Sequence, residues 1–317
     1  MQNQIIFQQI SILGLLTLTG YTAQKFSLFP EGFHAGLNKL VMKITLPLMI
    51  FSSLYKFRLS SEIVKSAALV FIFAYISIFL LLGAGSIAAK LLKLKGGSYT
   101  VHKIHTTFGN IAFLGYPLLD SLFPGGTGLF YAVVYHIALE SLLWTLGVII
   151  FNKGKSISIL ESLKHLLNPN TAAFVLGIAG FLIHLRIPYI LDTTIKGLGG
   201  TTIYLSMIYI GITLSRISIR GTLKELSIYV LTFNKMIFVP FVLILIIDLL
   251  TEVFGLGIDP VARAVTVLQT ATPCMATIVI MAGNFNSDAA LAAKNVFLTT
   301  LLSILTLPFV YWMITVL

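Results

Sequence analysis

Negative charge is what this chain has least of. Asp and Glu supply 11 of its 317 residues against 21 for Lys and Arg, and charged residues of both signs make up 10%. A soluble domain carries about 25% charged residues, so this composition does not furnish a water-facing surface. There is one cysteine, Cys274, which excludes an internal disulfide and any multi-cysteine metal site. The glycine-rich run Pro124-Gly125-Gly126-Thr127-Gly128 lacks the Gly-Lys-Ser/Thr ending of a phosphate-binding loop, so the chain by itself does not read as an ATP-driven pump. No Ser/His/Asp order and no paired carboxylates point to a hydrolase, and no enzyme is expected. Met1-Gln2-Asn3-Gln4 has no basic run, and no small-residue cleavage site follows the first apolar stretch, so no cleaved signal peptide is expected.

What is present is apolar length. Hydrophobic residues make up 57% of the chain, and the mean hydropathy is +0.97. A bilayer crossing takes about 20 mainly apolar residues, and several stretches reach that. The fold expected is all-α and polytopic, with segments at 4–23, 35–54, 63–92, 99–123, 129–151, 169–185, 195–214, 226–250, 260–282 and 289–317. The net charge of +10 does not signal nucleic acid, because the basic residues sit in short loops between apolar runs and form no continuous face for a phosphate backbone. Eleven Lys and Arg fall in or beside odd-numbered connections and six in or beside even-numbered ones. That excess places odd loops in the cytoplasm and both termini outside a plasma membrane.

Proline interrupts an apolar segment twice in corresponding surroundings, at Pro117 within 109–118 and at Pro273 within 269–275. Each is followed by a small polar break, Pro124-Gly125-Gly126-Thr127 or Gly283-Asn284-Phe285-Asn286, and then by another long apolar run. Proline removes a backbone donor and clashes with the preceding turn, so each segment should unwind near its centre. Irregular backbone is tolerated in hydrocarbon only where protein buries it or it lines a cavity. Paired interrupted segments in two halves point to a transporter's substrate site. Ten segments divide into a first repeat at 1–151, a short cytoplasmic linker at 152–168 and a second repeat at 169–317. Five segments per half force the second to insert upside down. The expectation is two inverted five-helix repeats with two Pro-broken helices crossing, as in sodium/proton-antiporter-like and bile-acid-symporter-like folds.

The chain resembles the auxin efflux carrier family, in its bacterial form. The resemblance is carried by Leu37-Asn38-Lys39-Leu40 through Leu46-Pro47, by Gly109-Asn110 through Gly115-Tyr116-Pro117-Leu118, and by Tyr131-Ala132-Val133-Val134-Tyr135 with Trp144-Thr145-Leu146-Gly147. It continues through Leu167-Asn168-Pro169, Thr272-Pro273 and Leu305-Thr306-Leu307-Pro308, and so covers essentially the whole chain. It implies ten helices, a scaffold domain and a mobile crossover domain, homodimers, and transport of organic anions such as malate, malonate or an auxin-like acid. The plant members' long loop between halves is short here. The pattern departs at His136 and Glu140, where members often carry Asn, so a neutral site is not carried over to those positions.

The candidate site residues follow from place and chemistry. Asn110 precedes Pro117 by about two turns, and its amide can donate to a carboxylate; the alternative role is a helix cap. Half-helix N-termini at the breaks would present free N–H groups to an anion. His136 and Glu140, four apart, share a helix face, and a carboxylate within a membrane segment is a functional hypothesis by default. Proton release by Glu140 and a structural His–Glu pair are the two readings. Thr270 and Thr272 can satisfy carbonyls freed by Pro273, or touch substrate. Asn295 lies on the helix after the second break, beside Lys294. Lys43, one turn after Lys39, either neutralises an anion or snorkels to the interface. His102-Lys103-Ile104-His105 reads as part of a basic loop without a carboxylate or thiolate, so no metal is expected, and no cofactor. The leading function is a secondary carrier exporting or exchanging an organic anion, with proton coupling as an option. The alternatives are a cation/proton antiporter on the same scaffold and a membrane sensor that binds without translocating.

Overall fold

The computed structural model describes residues 2–56, 60–152, 168–216 and 225–317. Twelve helices occupy them: α1 (Gln2–Lys25), α2 (Phe33–Leu54), α3 (Ser61–Leu91), α4 (Gly96–Thr107), α5 (Ile111–Leu122), α6 (Thr127–Phe151), α7 (Pro169–Leu182), α8 (Tyr189–Ser215), α9 (Leu226–Val253), α10 (Pro260–Thr270), α11 (Thr277–Asn284) and α12 (Ala289–Val316). Six of these, α2, α3, α6, α8, α9 and α12, are long and apolar enough to cross a membrane. Each predicted segment coincides with one helix, except that 99–123 and 260–282 each resolve into two helices flanking a non-helical stretch. Apart from its end residues Asn152 and Asn168, the expected linker lies outside the described residues, as do Arg58, Lys153, Lys155, Lys164, Arg220 and Lys224 of the loop charges.

Short polar side chains start the helices. Ser60 accepts from Ile63 N (3.2 Å) before α3, and Asp288 accepts from Leu291 N (2.9 Å) before α12. Asn168-Pro169 and Asp259-Pro260 combine a capping acceptor with proline at the first helical position, where no donor is lost. Inside the helices, Pro308 lies within α12 with no π turn before it, but three other prolines are handled differently. Pro47, Pro117 and Pro240 each follow a π-helical turn, at Val41–Thr45, Ile111–Gly115 and Asn234–Phe238. The carbonyl that a proline ring would strike lies four residues back, at Lys43, Phe113 and Met236, inside the widened turn each time. A π turn opens the ladder where the ring needs room. The expectation that the first segment unwinds at Pro117 is therefore corrected: Pro117 is buried within α5, and the break lies upstream at 108–110.

The helices pack in two groups. One comprises α1, α2, α7 and α8, and the other α3, α4, α6, α9, α10, α11 and α12, with α5 lying between them. Helices α1 and α8 touch backbone to backbone: a Cβ on Gly211 would strike the Thr17 carbonyl oxygen, and one on Gly20 the Ile208 carbonyl oxygen. Small residues let helices approach in this way where lipid offers no hydrophobic drive.

Gly211→Ala is expected to lower the unfolding temperature of the purified protein, since such overpacking costs about 1–3 kcal/mol. Gly200→Ala on the same helix, where the added carbon meets open space, should leave it unchanged or raised. Equal thermal melts for the two variants would show that α1 and α8 can part without cost.

Candidate functional site

The two breaks meet each other. Gly109 and Cys274 pair as a single antiparallel bridge, and the Asn110 N–H donates to the Pro273 carbonyl (2.8 Å). Gly109 is required at this point, because a Cβ there would collide with Thr272 Oγ1. Helix ends leave backbone groups without partners, and the side chains beside the breaks bond to backbone groups there. Asn110 Oδ1 accepts from Phe113 N (3.4 Å) at the start of α5. At the end of α10, Thr270 donates to the Thr266 carbonyl (2.8 Å) and Thr272 to that of Gln269 (2.7 Å). The Asn110 amide nitrogen is engaged by no described residue, although the residue is only 5% exposed.

The helix after each break reaches across to the other broken helix. Tyr135 on α6 shares a hydrogen bond with Thr270 (3.2 Å) and another with Ser77 (2.9 Å). Asn295 on α12 donates to His105 Nδ1 of α4 (3.2 Å), and Thr299, one turn on, accepts from Cys274 N (3.1 Å). Gln269 lies against Gly115 of α5 with both amide atoms buried and unpartnered by any described residue.

A second polar line runs from α6 to α5. Asn168 donates to Glu140 Oε2 (2.9 Å), and Glu140 Oε1 stands 3.5 Å from His136 Nε2. That last separation suits an ion pair but is not aligned as a hydrogen bond. His136 Nδ1 then meets the Tyr116 hydroxyl at 2.6 Å. His136 is buried and the Glu140 side chain 19% exposed. Glu140 thus joins the cap of α7 to a tyrosine on the crossing helix.

Of the residues singled out from sequence, Asn110, Thr270, Thr272, Pro273 and Asn295 come together at the crossing, and His136 and Glu140 are tied to it through Tyr116. Two do not belong there. Pro117 lies in the helix beyond the break, and Lys43 is exposed on α2; a side chain directed outward from a helix of the first group has no access to the buried crossing. Lys294 is paired with Glu225 (3.2 Å). His102 and His105 lie on α4, buried, rather than in a loop, because the helix begins at Gly96, ahead of both. The sequence reading missed Tyr116, Gln269 and above all Lys235, whose side chain is 0% exposed and donates to the Thr106 carbonyl (3.1 Å). Its signal was present: it is the one basic residue in the apolar stretch of α9.

Two cavities border α5. One, about 300 Å³ and apolar, lies between the packing groups against Leu114 and Leu118 of α5, Met207 and Ile210 of α8 and Phe297 of α12. The other, about 350 Å³, is polar and bounded by Ser52, Lys56, Asp120, Gly126 and Lys196. Asp192 binds both lysines (3.0 and 3.1 Å) and the Tyr55 hydroxyl.

Residues 5–311 match the family described as "Membrane transport protein". A protein of Methanothermobacter thermautotrophicus named "Uncharacterized transporter" is 27% identical over 309 residues, covering 94% of this chain and 95% of its own. Another uncharacterized transporter, from Methanocaldococcus jannaschii, is 24% identical over 311 residues, covering 96% and 97%.

Gly109→Ala should disrupt the crossing through Thr272, and Gly109→Ala with Thr272→Ala should recover part of the lost thermal stability. Groups in contact show non-additive changes of about 0.5–3 kcal/mol. Strict additivity in melts of the purified variants would mean that the two strands of the crossing do not press on each other.

Proposed function

Because the chain belongs to the auxin efflux carrier family of membrane transport proteins, and is thus a multi-pass membrane protein, we propose that it is a secondary carrier exporting or exchanging an organic anion by alternating access. A mono- or dicarboxylate is the class this reading favours. The observation that carries it is the buried meeting of two interrupted helices, where the α5 N-terminus and the unengaged Asn110 amide offer donors to an anion. The reciprocal contacts, Tyr135 to the end of α10 and Asn295 to α4, support residues 1–151 and 169–317 as two inverted repeats. In this reading α1, α2, α7 and α8 form the scaffold of a homodimer in the plasma membrane, with both termini outside. The remaining helices carry the site past the apolar seam.

Counterflow of radiolabelled carboxylates in proteoliposomes tests this. Accelerated exchange is expected. Binding without flux would make the protein a sensor, and proton flux indifferent to carboxylate would make it a cation antiporter.

Asn110 has two roles in this scheme, and they separate. Asn110→Ser keeps a capping oxygen but removes the amide donor, so it should retain thermal stability and lose exchange, as should Asn110→Ala at a stability cost of about 1 kcal/mol. Wild-type exchange by the Ser variant would reduce Asn110 to a cap.

Glu140 is proposed to carry the coupling proton. A carboxylate within a membrane segment costs roughly 2.5–3.5 kcal/mol unless partnered, hydrated or neutral, and His136 and Asn168 are its partners here. Glu140→Gln keeps the shape and removes the titration, so the pH dependence of exchange should flatten. An unchanged pH profile would make the pair structural.

A further inference from the structure

The buried ammonium of Lys235 has no part in the scheme above. It projects from the π turn that precedes Pro240 of α9, with 0% exposure, and its one hydrogen bond goes to the Thr106 carbonyl in the last turn of α4. No carboxylate among the described residues pairs with it. Its titratable neighbours are the His105 ring and the Cys274 thiol; Asn295 binds the same imidazole from α12.

The acceptor is available for a definite reason. In a continuous helix the Thr106 carbonyl would receive the N–H of residue 110, but the Asn110 N–H is turned to Pro273. The end of α4 therefore presents an orphaned carbonyl and the negative end of a helix dipole inside the protein. The end of α10 has no such orphan at its threonines: the Gln269 carbonyl accepts the Thr272 backbone N–H (3.3 Å) as well as the Thr272 hydroxyl. The ammonium stands at α4, where the backbone donor has been withdrawn. Carbonyls at the C-terminal ends of interrupted helices are where carriers hold a coupling cation.

We propose that Lys235 is a resident cation, its ammonium occupying at the carbonyl end of α4 the position that an alkali-metal ion takes in cation-coupled carriers, so that this chain transports without sodium. The sodium independence rests on the carrier reading; the cation site does not.

Both parts can be measured. Lys235→Ala removes the equivalent of n-propylammonium, which serves as the probe, with 1-propanol as its uncharged control. Wild-type melting temperature and carboxylate counterflow should be unchanged when sodium is replaced by choline. The K235A protein should unfold several degrees lower and lose exchange. Addition of n-propylammonium should raise its melting temperature and restore part of the exchange, sodium should also raise the melting temperature, and 1-propanol should do neither. Lys235→Met, which retains much of the packing, should fold and fail to exchange; it replaces K235A throughout if that variant does not fold. Equal rescue by 1-propanol, no shift with either cation, wild-type exchange by K235M, or a sodium requirement in the wild type would each overturn the proposal. If the wild type exchanges no carboxylate, the carrier reading fails while the melting experiments still decide the cation site.

Discussion

A backbone group buried away from water must find a partner, and this structure is arranged around one place where helices cannot supply it. Two chains of peptide groups leave helical geometry in the protein interior, and each supplies the other: Asn110 to Pro273, with Gly109 against Cys274. Each unsatisfied group in an apolar interior costs several kcal/mol. Neither break is therefore stable alone. The Asn110 cap and the Lys235 ammonium satisfy two further groups at the helix ends. Charge and hydrogen-bonding capacity concentrate where regular structure stops, and the surrounding helices bury that place.

Pro273 and Pro117 do two different jobs. Pro273 sits in a true break and contributes a carbonyl to the opposite strand. Pro117 sits in a helix that has widened by a π turn, as Pro47 and Pro240 do. One type of residue thus marks an interruption in one segment and a tolerated irregularity in another. What separates them is the local company. Gly109 and Asn110 lie in the first break, and the first offers no side chain to obstruct a crossing strand while the second can start a helix anew.

Helix placement was legible because long apolar runs bounded by caps leave little freedom. Asn168-Pro169, Asp259-Pro260 and Asp288 mark three starts as seen in the structure. The break in the second half was read at the right proline. In the first half it was read eight residues late, since a proline gives no sign of whether a π turn will absorb it. The placement of Asn110, Thr272 and Asn295 beside the breaks followed from position alone. Lys43 did not, because spacing along α2 does not reveal which face turns outward. Lys235 was passed over because its worth depends on a carbonyl 129 residues away in the chain. Non-local partnership of that kind leaves no periodic trace.

The mutual dependence of the two breaks has a consequence for biogenesis. Chains grow at about 5–20 residues per second, and Pro273 is made roughly 160 residues after Asn110. For some 10 to 30 seconds, on that rate, the first half resides in the bilayer with an interrupted segment whose partner does not yet exist. During that interval 99–123 has reason to remain an ordinary helix, or to be held by the insertion machinery, and to part only as the second break arrives. The crossing cannot form until the second half has been made, and synthesis order becomes part of how the fold is reached.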